Sequence, residues 1–347
     1  MNRLNRILTA ALAVQVVLAV VVFLPRIIPT SAESAPLFGA LSAADITGLT
    51  LKDQEGNQIE LAKQGDAWSL PEHANYPADN TKVGDFLGKM LGLKTDTLVA
   101  RTNASHKQLQ VAVDDFVRQV DLKLADGSSR TVYLGSAASG GATHVRLGDR
   151  DEVYVGRGVS SFDVNATIGG WIDTTYLSLD RTQIVQMTLE NANGAFEFEQ
   201  GDSDVWALTD LAADETMNSE NVSMLALRIA SVPMLRPLGK EAQPEYGLDQ
   251  PSAVVTATTR DDAGAEKTYT LTIGAKDDAE DSYVVKSSES EWYARATSFS
   301  VEEFVTRTRQ DFLQAPATPT PMSTPAITST LEVTSTLEIT PTLEATP

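Results

Sequence analysis

Four closely spaced carboxylates are the residues of this sequence best suited to metal chemistry. Carboxylate oxygens are the ligands that Ca²⁺ prefers in proteins. The spacing departs from the EF-hand pattern and lacks its glycine turn, however, and the charged tip of a β-hairpin has the same composition. We treat these residues as weak metal candidates and expect a hairpin tip; they are Asp277, Asp278, Glu280 and Asp281.

Nucleophilic and zinc chemistry find little support in the sequence. The chain has no cysteine, which excludes thiol catalysis and thiolate metal sites. Its three histidines, His73, His106 and His144, lack the spacing of zinc ligands, and no serine stands in a Gly-x-Ser-x-Gly elbow. We therefore expect a non-enzymatic protein with no catalytic residue and no cofactor.

Two further features permit a functional and a structural interpretation. The segment Gly135–Gly141 resembles a phosphate-binding loop, but it lacks the Gly-Lys-Ser/Thr ending, so we expect an ordinary hairpin connection with Gly274 at the same step of a second hairpin. Trp68 and Trp206 could serve as ligand platforms. Since each is followed two residues later by leucine, we favour packing in the core.

The charge of the chain restricts its partners. The formal net charge is -20 over 347 residues, and such a surface repels nucleic-acid phosphates and anionic headgroups. We expect no nucleic-acid partner. A hydrophobic content of 42% is sufficient for real cores, so the chain as a whole is predicted to fold.

The N-terminal residues predict a membrane anchor. Residues 7–24 carry no charge, and a helix from Ile7 to Ile28 is long enough to cross a bilayer. Arg3 and Arg6 favour a cytoplasmic N-terminus, which places the protein in the cell membrane as a single-pass protein with an extracytoplasmic body. The alternative is a signal peptide cleaved near residues 30–32, although its apolar region is usually shorter.

The body predicts one α+β unit used twice. Alternating runs beginning at Ile46 and at Ile184 indicate two similar hairpins, and a tryptophan follows each of them. Each hairpin precedes an amphipathic helix, one capped by Asp79 and one by Asn218 or Ser219, the second stopped by Pro233. Four strands follow in each copy. The predicted fold class is α+β, two tandem copies of an antiparallel-sheet-plus-helix unit.

A closing helix completes each predicted copy, over 159–168 in the first and over 300–312 in the second. A Thr- and Pro-rich tail with a six-residue Thr-Leu-Glu repeat follows, and its composition is typical of a disordered, extended stalk. The predicted plan comprises a cytoplasmic start, an anchor, a linker, two repeats and the tail. These are residues 1–6, 7–28, 29–44, 45–180, 181–313 and 314–347.

An ordered set of short motifs resembles the bacterial family DUF4340, a domain of unknown function. The resemblance covers roughly residues 46–313, and the motifs follow an N-terminal span. They are Gly65-Asp-Ala-Trp68-Ser-Leu70, Tyr76-Pro-Ala-Asp79, Tyr133-Leu-Gly135, Thr143-His-Val-Arg146 and Tyr246-Gly-Leu-Asp-Gln-Pro251.

The resemblance implies an accessory or scaffold role without assigning catalytic residues. Members of the family often accompany ABC-type transport components related to gliding-motility proteins, so the implied partner is an integral membrane protein such as an ABC permease, with its ATPase. The duplicated body and the spacer-like tail also suit a cell-surface binding module for glycan, peptide or wall polymer. Both functions remain open from the sequence.

Packing of Trp206 in the core has a measurable consequence. The substitution Trp206→Ala should lower the free energy of unfolding by about 3–5 kcal/mol, because it removes a large buried ring and leaves a cavity. Thermal and urea unfolding measure this change. Unchanged melting would place Trp206 on the surface and favour the ligand-platform interpretation.

Overall fold

A computed structural model of the chain describes residues 12, 14–15, 35–95, 97–201 and 205–314. Apart from positions 12, 14 and 15, the predicted anchor over residues 7–28 lies outside these ranges, as does the predicted tail after Gln314. Among the described residues, no helix has the length and apolar character needed to cross a membrane.

The first part of the body is an antiparallel sheet. Its described strands number nine, in the order β4-β3-β2-β1-β6-β7-β8-β9-β5. They are β1 (Ile46–Asp53), β2 (Gln58–Gln64), β3 (Ala67–Leu70), β4 (Tyr76–Pro77), β5 (Leu98–Ala100), β6 (Arg118–Leu124), β7 (Ser129–Ala138), β8 (Ala142–Leu147) and β9 (Val153–Gly156).

The second part contains a small two-stranded sheet, β10-β14, and a larger antiparallel sheet. The larger sheet has eight described strands in the order β13-β12-β11-β16-β17-β18-β19-β15. The ten strands are β10 (Thr175–Ser178), β11 (Ile184–Asn191), β12 (Gly194–Gln200), β13 (Trp206–Leu208), β14 (Ser231–Pro233), β15 (Arg236–Gly239), β16 (Ala253–Arg260), β17 (Glu266–Asp277), β18 (Ser282–Ser287) and β19 (Tyr293–Thr297).

The two large sheets have the same strand order except for the additional edge strand β4. Their irregularities also agree, because a register shift interrupts both β1–β6 and β11–β16 near the start of the first strand. A second register shift interrupts both the β7–β8 pairing and the β17–β18 pairing. In the first part, residues 35–37 run beside residues 93–95, as β10 runs beside β14 in the second.

Helices cover the sheets, and the first two begin where the sequence predicts. Helix α1 (Asn80–Leu91) begins after Asp79, whose carboxylate accepts the backbone N–H groups of Thr81 and Lys82. Helix α2 (Ser219–Ala230) begins after Asn218, and α3 (Ser298–Thr306) follows β19 directly. The described residues thus form antiparallel sheets with three α-helices, which confirms the α+β class.

The end of α2 differs from the prediction. We expected Pro233 to stop this helix, but α2 ends at Ala230 and residues 231–233 form β14. The backbone there pairs with β10, and the Leu179 N–H donates to the Ala230 carbonyl over 2.8 Å. Tertiary strand pairing therefore ends the helix before the proline does.

The predicted closing helices are only partly correct. The segment predicted over 300–312 is divided into α3 and a short 3-10 helix, Arg309–Phe312. The segment predicted over 159–168 contains no α-helix. Asp163 accepts the Ser160 N–H and Asn165 accepts the Thr167 N–H, each within the same turn. Such local side-chain bonds compete with helical ones, which explains the error.

Buried tyrosine Tyr176 lies where the two parts meet. One core cluster contains residues of both large sheets. Tyr176, in β10, donates its hydroxyl to the Trp292 carbonyl over 2.6 Å and accepts the Ser287 N–H over 3.1 Å. The ring of Tyr76, from the first sheet, contacts Trp292 edge to face with centroids 4.8 Å apart. Burial raises the pKa of Tyr176 to about 12.

Removing this hydroxyl should weaken the junction. Tyr176→Phe leaves the backbone groups of Trp292 and Ser287 without their partner, which should cost about 1–3 kcal/mol of unfolding free energy. Urea unfolding at neutral pH measures it. Tyr154→Phe is the matched control, since that half-buried hydroxyl makes no hydrogen bond within the described residues. Equal effects of the two substitutions would contradict the assignment.

The raised pKa of Tyr176 predicts a pH dependence. An unfolded tyrosine ionises above pH about 10, whereas Tyr176 in the folded protein stays protonated to about 12. The folded state then binds more protons, so this contribution is complete below pH 10 and is lost as the pH rises to 12. Wild type should lose on the order of 2 kcal/mol more than Tyr176→Phe across this range. Parallel loss in both proteins, measured by urea unfolding, would refute it.

Candidate functional site

The four acidic metal candidates lie at the tip of the β17–β18 hairpin, where the sequence analysis placed them. Arginines from neighbouring strands neutralise part of this cluster. The Asp277 carboxylate lies 3.3 Å from Arg295, and Glu280 lies 3.0 Å from Arg236. Among the described residues, no group of three or more His, Cys, Asp or Glu side chains is placed to hold a metal ion. These ion pairs connect the β17–β18 hairpin tip to β15 and β19.

The histidines occupy three separate environments. His106 is buried, with Nε2 2.9 Å from the Asp151 carbonyl. His73 lies on an exposed turn, where burial of its ring and the nearby Arg236 lower its pKa.

His144 forms a contact that the sequence did not indicate, with Nδ1 3.1 Å from Ser136 Oγ. The same nitrogen lies 2.9 Å from the Ser136 carbonyl, which can only accept a proton. Nδ1 therefore carries the proton and cannot act as the base for this serine, whose hydroxyl donates to the Leu109 carbonyl.

Both predicted tryptophans are buried. Trp68 lies in β3 and is 6% exposed, and Trp206 lies in β13 and is 4% exposed. Core packing is confirmed for both side chains. Trp206 also borders a cavity of about 190 Å³ with polar groups on its wall, which come from Arg181, Thr182, Gln200 and Ser223.

The two glycines assigned to hairpin connections lie inside strands instead. Gly135 belongs to β7 and Gly274 to β17. A Cβ atom on Gly135 would lie 2.0 Å from the Leu109 carbonyl oxygen, and one on Gly274 would lie 2.0 Å from the Tyr246 carbonyl oxygen. A segment of chain crosses each sheet at this point, so both glycines are required by close backbone approach.

Two cationic side chains on corresponding strands stabilise turns by donating hydrogen bonds to the backbone carbonyls of those turns. The buried Arg146 of β8 donates Nη1 to the carbonyls of Leu147 and Arg150, at 3.0 and 2.9 Å. Lys286 of β18 donates Nζ to the carbonyls of Ser287 and Ser290. Burial lowers the pKa of both cations. They are structural residues that sequence reasoning missed, because nothing in the local pattern marks a charged residue for burial.

The most exposed aromatic side chain of the second part lies on a face made by α2 and α3. Phe299 is 79% exposed, and Met224 and Leu227, on the same side of α2 as Arg228, are 41% and 47% exposed. The Arg228 guanidinium lies 4.7 Å from the centroid of the Phe299 ring. Its Nη1 donates to the Phe299 carbonyl over 3.2 Å, and its Nη2 forms an ion pair with Glu303. We name this surface the helical face, defined by Met224, Leu227, Arg228 and Phe299.

The helical face combines a fixed aromatic ring with apolar neighbours. Large apolar side chains grouped on a surface are typical of protein contact sites, and Phe and Arg are both enriched in them. The guanidinium keeps the ring in place, so a partner binds it with little loss of side-chain freedom. The composition of the helical face therefore resembles that of protein contact sites.

Comparison with known proteins gives a family. Residues 68–238 match the model of DUF4340, described as a domain of unknown function. The match begins at Trp68 and extends through α1, strands β6–β9 and α2. No curated protein and no solved structure matches the chain. The resemblance to DUF4340 predicted from the motifs is confirmed over residues 68–238, a part of the predicted range 46–313.

Proposed function

We propose that this protein is a non-enzymatic accessory or scaffold subunit, anchored in the cell membrane, whose extracytoplasmic body docks onto an integral membrane protein of an ABC-type transport system. The observation that carries the proposal is the helical face, on which Phe299 is 79% exposed and held by Arg228 of α2, a helix that also exposes Met224 and Leu227. Covering a ring of this size stabilises a complex by about 1.5–3 kcal/mol.

The membrane anchor is supported by the sequence. Residues 7–28 have the length and apolar character of a bilayer span, with Arg3 and Arg6 on the side that stays in the cytoplasm. A permease is then the direct contact, because its extracytoplasmic loops share the compartment of the body. The ATPase is reached through the permease on the other side of the membrane.

The body is proposed to consist of two copies of one unit, residues 45–180 and 181–313. Support comes from the common strand order and from equivalent glycines, Gly135 and Gly274, each crossed by a backbone carbonyl. The turn-holding cations Arg146 and Lys286 occupy corresponding strands and use the same two carbonyl positions. In this account, duplication supplied a second sheet whose helices were free to acquire a docking surface.

A second candidate function is a surface binding module for glycan, peptide or wall polymer. The cavity beside Trp206 favours it, since an aromatic edge is combined there with the polar groups of Arg181, Thr182 and Gln200. Its volume of about 190 Å³ accommodates one sugar ring or one peptide side chain. That is below the roughly 300–1,000 Å³ of ordinary small-molecule pockets, so we rank this function second.

Site-specific photocrosslinking tests the docking surface. A Phe299→p-benzoylphenylalanine variant, expressed in native membranes and irradiated, should form an adduct with an ABC permease that mass spectrometry identifies. The side chain is 79% exposed, so the replacement leaves the core intact. Val113→p-benzoylphenylalanine is the matched control, because Val113 is 68% exposed on the first part of the body and should give no such adduct.

The pattern of adducts separates the two functions. Adducts at both positions would indicate non-specific contact and contradict a docking role for the helical face. Recovery of wall or surface material in place of a membrane protein, lost on substituting Gln200 beside the Trp206 cavity, would make the binding module the leading function.

A further inference from the structure

An exposed phenylalanine stands at a fixed position on the first part of the body. Phe162 is 92% exposed. Its turn is held by the Asp163 carboxylate, which accepts the Ser160 N–H over 2.7 Å and pairs with Lys89 of α1 over 2.5 Å. The ring is therefore presented to the surroundings by a structured turn, and neither the core nor the helical face uses it.

Two exposed cations lie beside the end of β9, the strand that leads into this turn. Lys94 and Arg157 are exposed and line one shallow cavity with Gly92 and Val155. Within residues 35–95, 97–201 and 205–314, neither cation pairs with a carboxylate. A second cavity, of about 270 Å³, lies beside Phe162 and brings in further charged residues, namely Lys82, Asp85, Lys89 and Asp163.

The local balance of charge is opposite to that of the chain. Among the described residues that line the two cavities, four cations face two carboxylates, which leaves a positive excess on a protein of net charge -20. Repulsion by the chain as a whole argued against contact with anionic headgroups. A local excess of positive charge favours contact with anionic headgroups at this end of the body. The negative charges elsewhere on the chain oppose it little, since charges more than about 8–10 Å away are screened at physiological salt.

The N-terminal segment joins the body at the same place. The Thr95 N–H donates to the Ala35 carbonyl over 3.0 Å, and Pro36 forms a bridge with Lys94. Residues 29–34 alone separate the end of the proposed anchor from Ala35. A fully extended chain spans about 3.3–3.6 Å per residue, so these residues reach roughly 20 Å at most. Lys94 is thus held near the bilayer surface.

We propose that Lys89, Lys94, Arg157 and Phe162 form a membrane-facing patch, with the cations on anionic lipid headgroups and the phenylalanine ring in the interfacial layer. Aromatic side chains and basic residues are favoured at this depth, and anionic lipids attract clustered Lys and Arg. The inference rests on the membrane anchor of the proposed function and adds an orientation: the end of the first sheet near Gly156 faces the bilayer.

The absence of cysteine from the chain makes a clean test possible. Full-length Ser161→Cys and Ser128→Cys proteins each carry one environment-sensitive fluorophore in reconstituted vesicles. Ser128 lies in the β6–β7 turn at the far end of the sheet, because β7 pairs with Lys123 at its start and with Thr143, the partner of Gly156, near its end. Quenching by headgroup-spin-labelled lipid reports proximity to the membrane.

The label at position 161 should be quenched several-fold more than the label at 128 in phosphatidylcholine–phosphatidylglycerol vesicles. The difference should fall in phosphatidylcholine alone and in about 1 M salt, which shortens the screening length to about 3 Å. Arg157→Glu should reduce quenching at 161, whereas Arg130→Glu, on the strand beginning at Ser129, should leave it unchanged. Equal quenching at 161 and 128, or quenching independent of lipid charge, overturns the patch.

Flotation of the same vesicles under alkaline conditions separates failure of the patch from failure of the proposed function. Protein that floats but shows no preferential quenching at 161 is anchored in another orientation, which overturns the patch alone. Protein that does not float is not anchored, and this outcome overturns both the patch and the membrane-anchored role.

Discussion

The arrangement of the body depends on one buried hydroxyl. Tyr176 belongs to β10, the first strand of the second part, and its hydroxyl bonds the backbone of the larger second sheet at Trp292 and Ser287. These backbone groups lie in and beside the β18–β19 turn, where strand pairing alone would leave them unpaired. Because an unpaired buried amide or carbonyl is costly, the tyrosine completes this turn, and the Trp292 ring of the same turn contacts Tyr76 of the first sheet.

Buried cations impose a second constraint of the same kind. Arg146 and Lys286 are directed at backbone carbonyls, and carbonyl oxygens carry only part of a negative charge. Burial lowers the pKa of each cation because that partial charge does not replace the hydration lost. These hydrogen bonds hold the turn after β8 and the turn after β18 in a defined conformation. Rigid sheet ends of this sort allow the segments that follow them to vary without loss of the core.

Local patterns predicted the elements that depend on local interactions. The cap at Asp79 and the hairpin beginning at Ile184 are correct because capping and alternation act over a few residues. Gly274 was assigned to the wrong element because the carbonyl that requires a glycine there belongs to Tyr246, which is distant in sequence. The helical face was not predicted either. Phenylalanine is usually buried in a core, and only the packing of α2 against α3 determines that Phe299 faces outward.

The exposed phenylalanine of each proposed surface lies in the segment that follows β9 or β19. After β9 this segment forms turns capped by Asp163 and exposes Phe162; after β19 it forms α3 and exposes Phe299. The sheets preceding these segments have the same strand order. A common order of strands with different closing segments leaves the surface free to differ between the two sheets while the core stays the same. In the proposed orientation, the short connection to Ala35 holds Phe162 at the bilayer, and Phe299 on the second part is left to meet a protein partner.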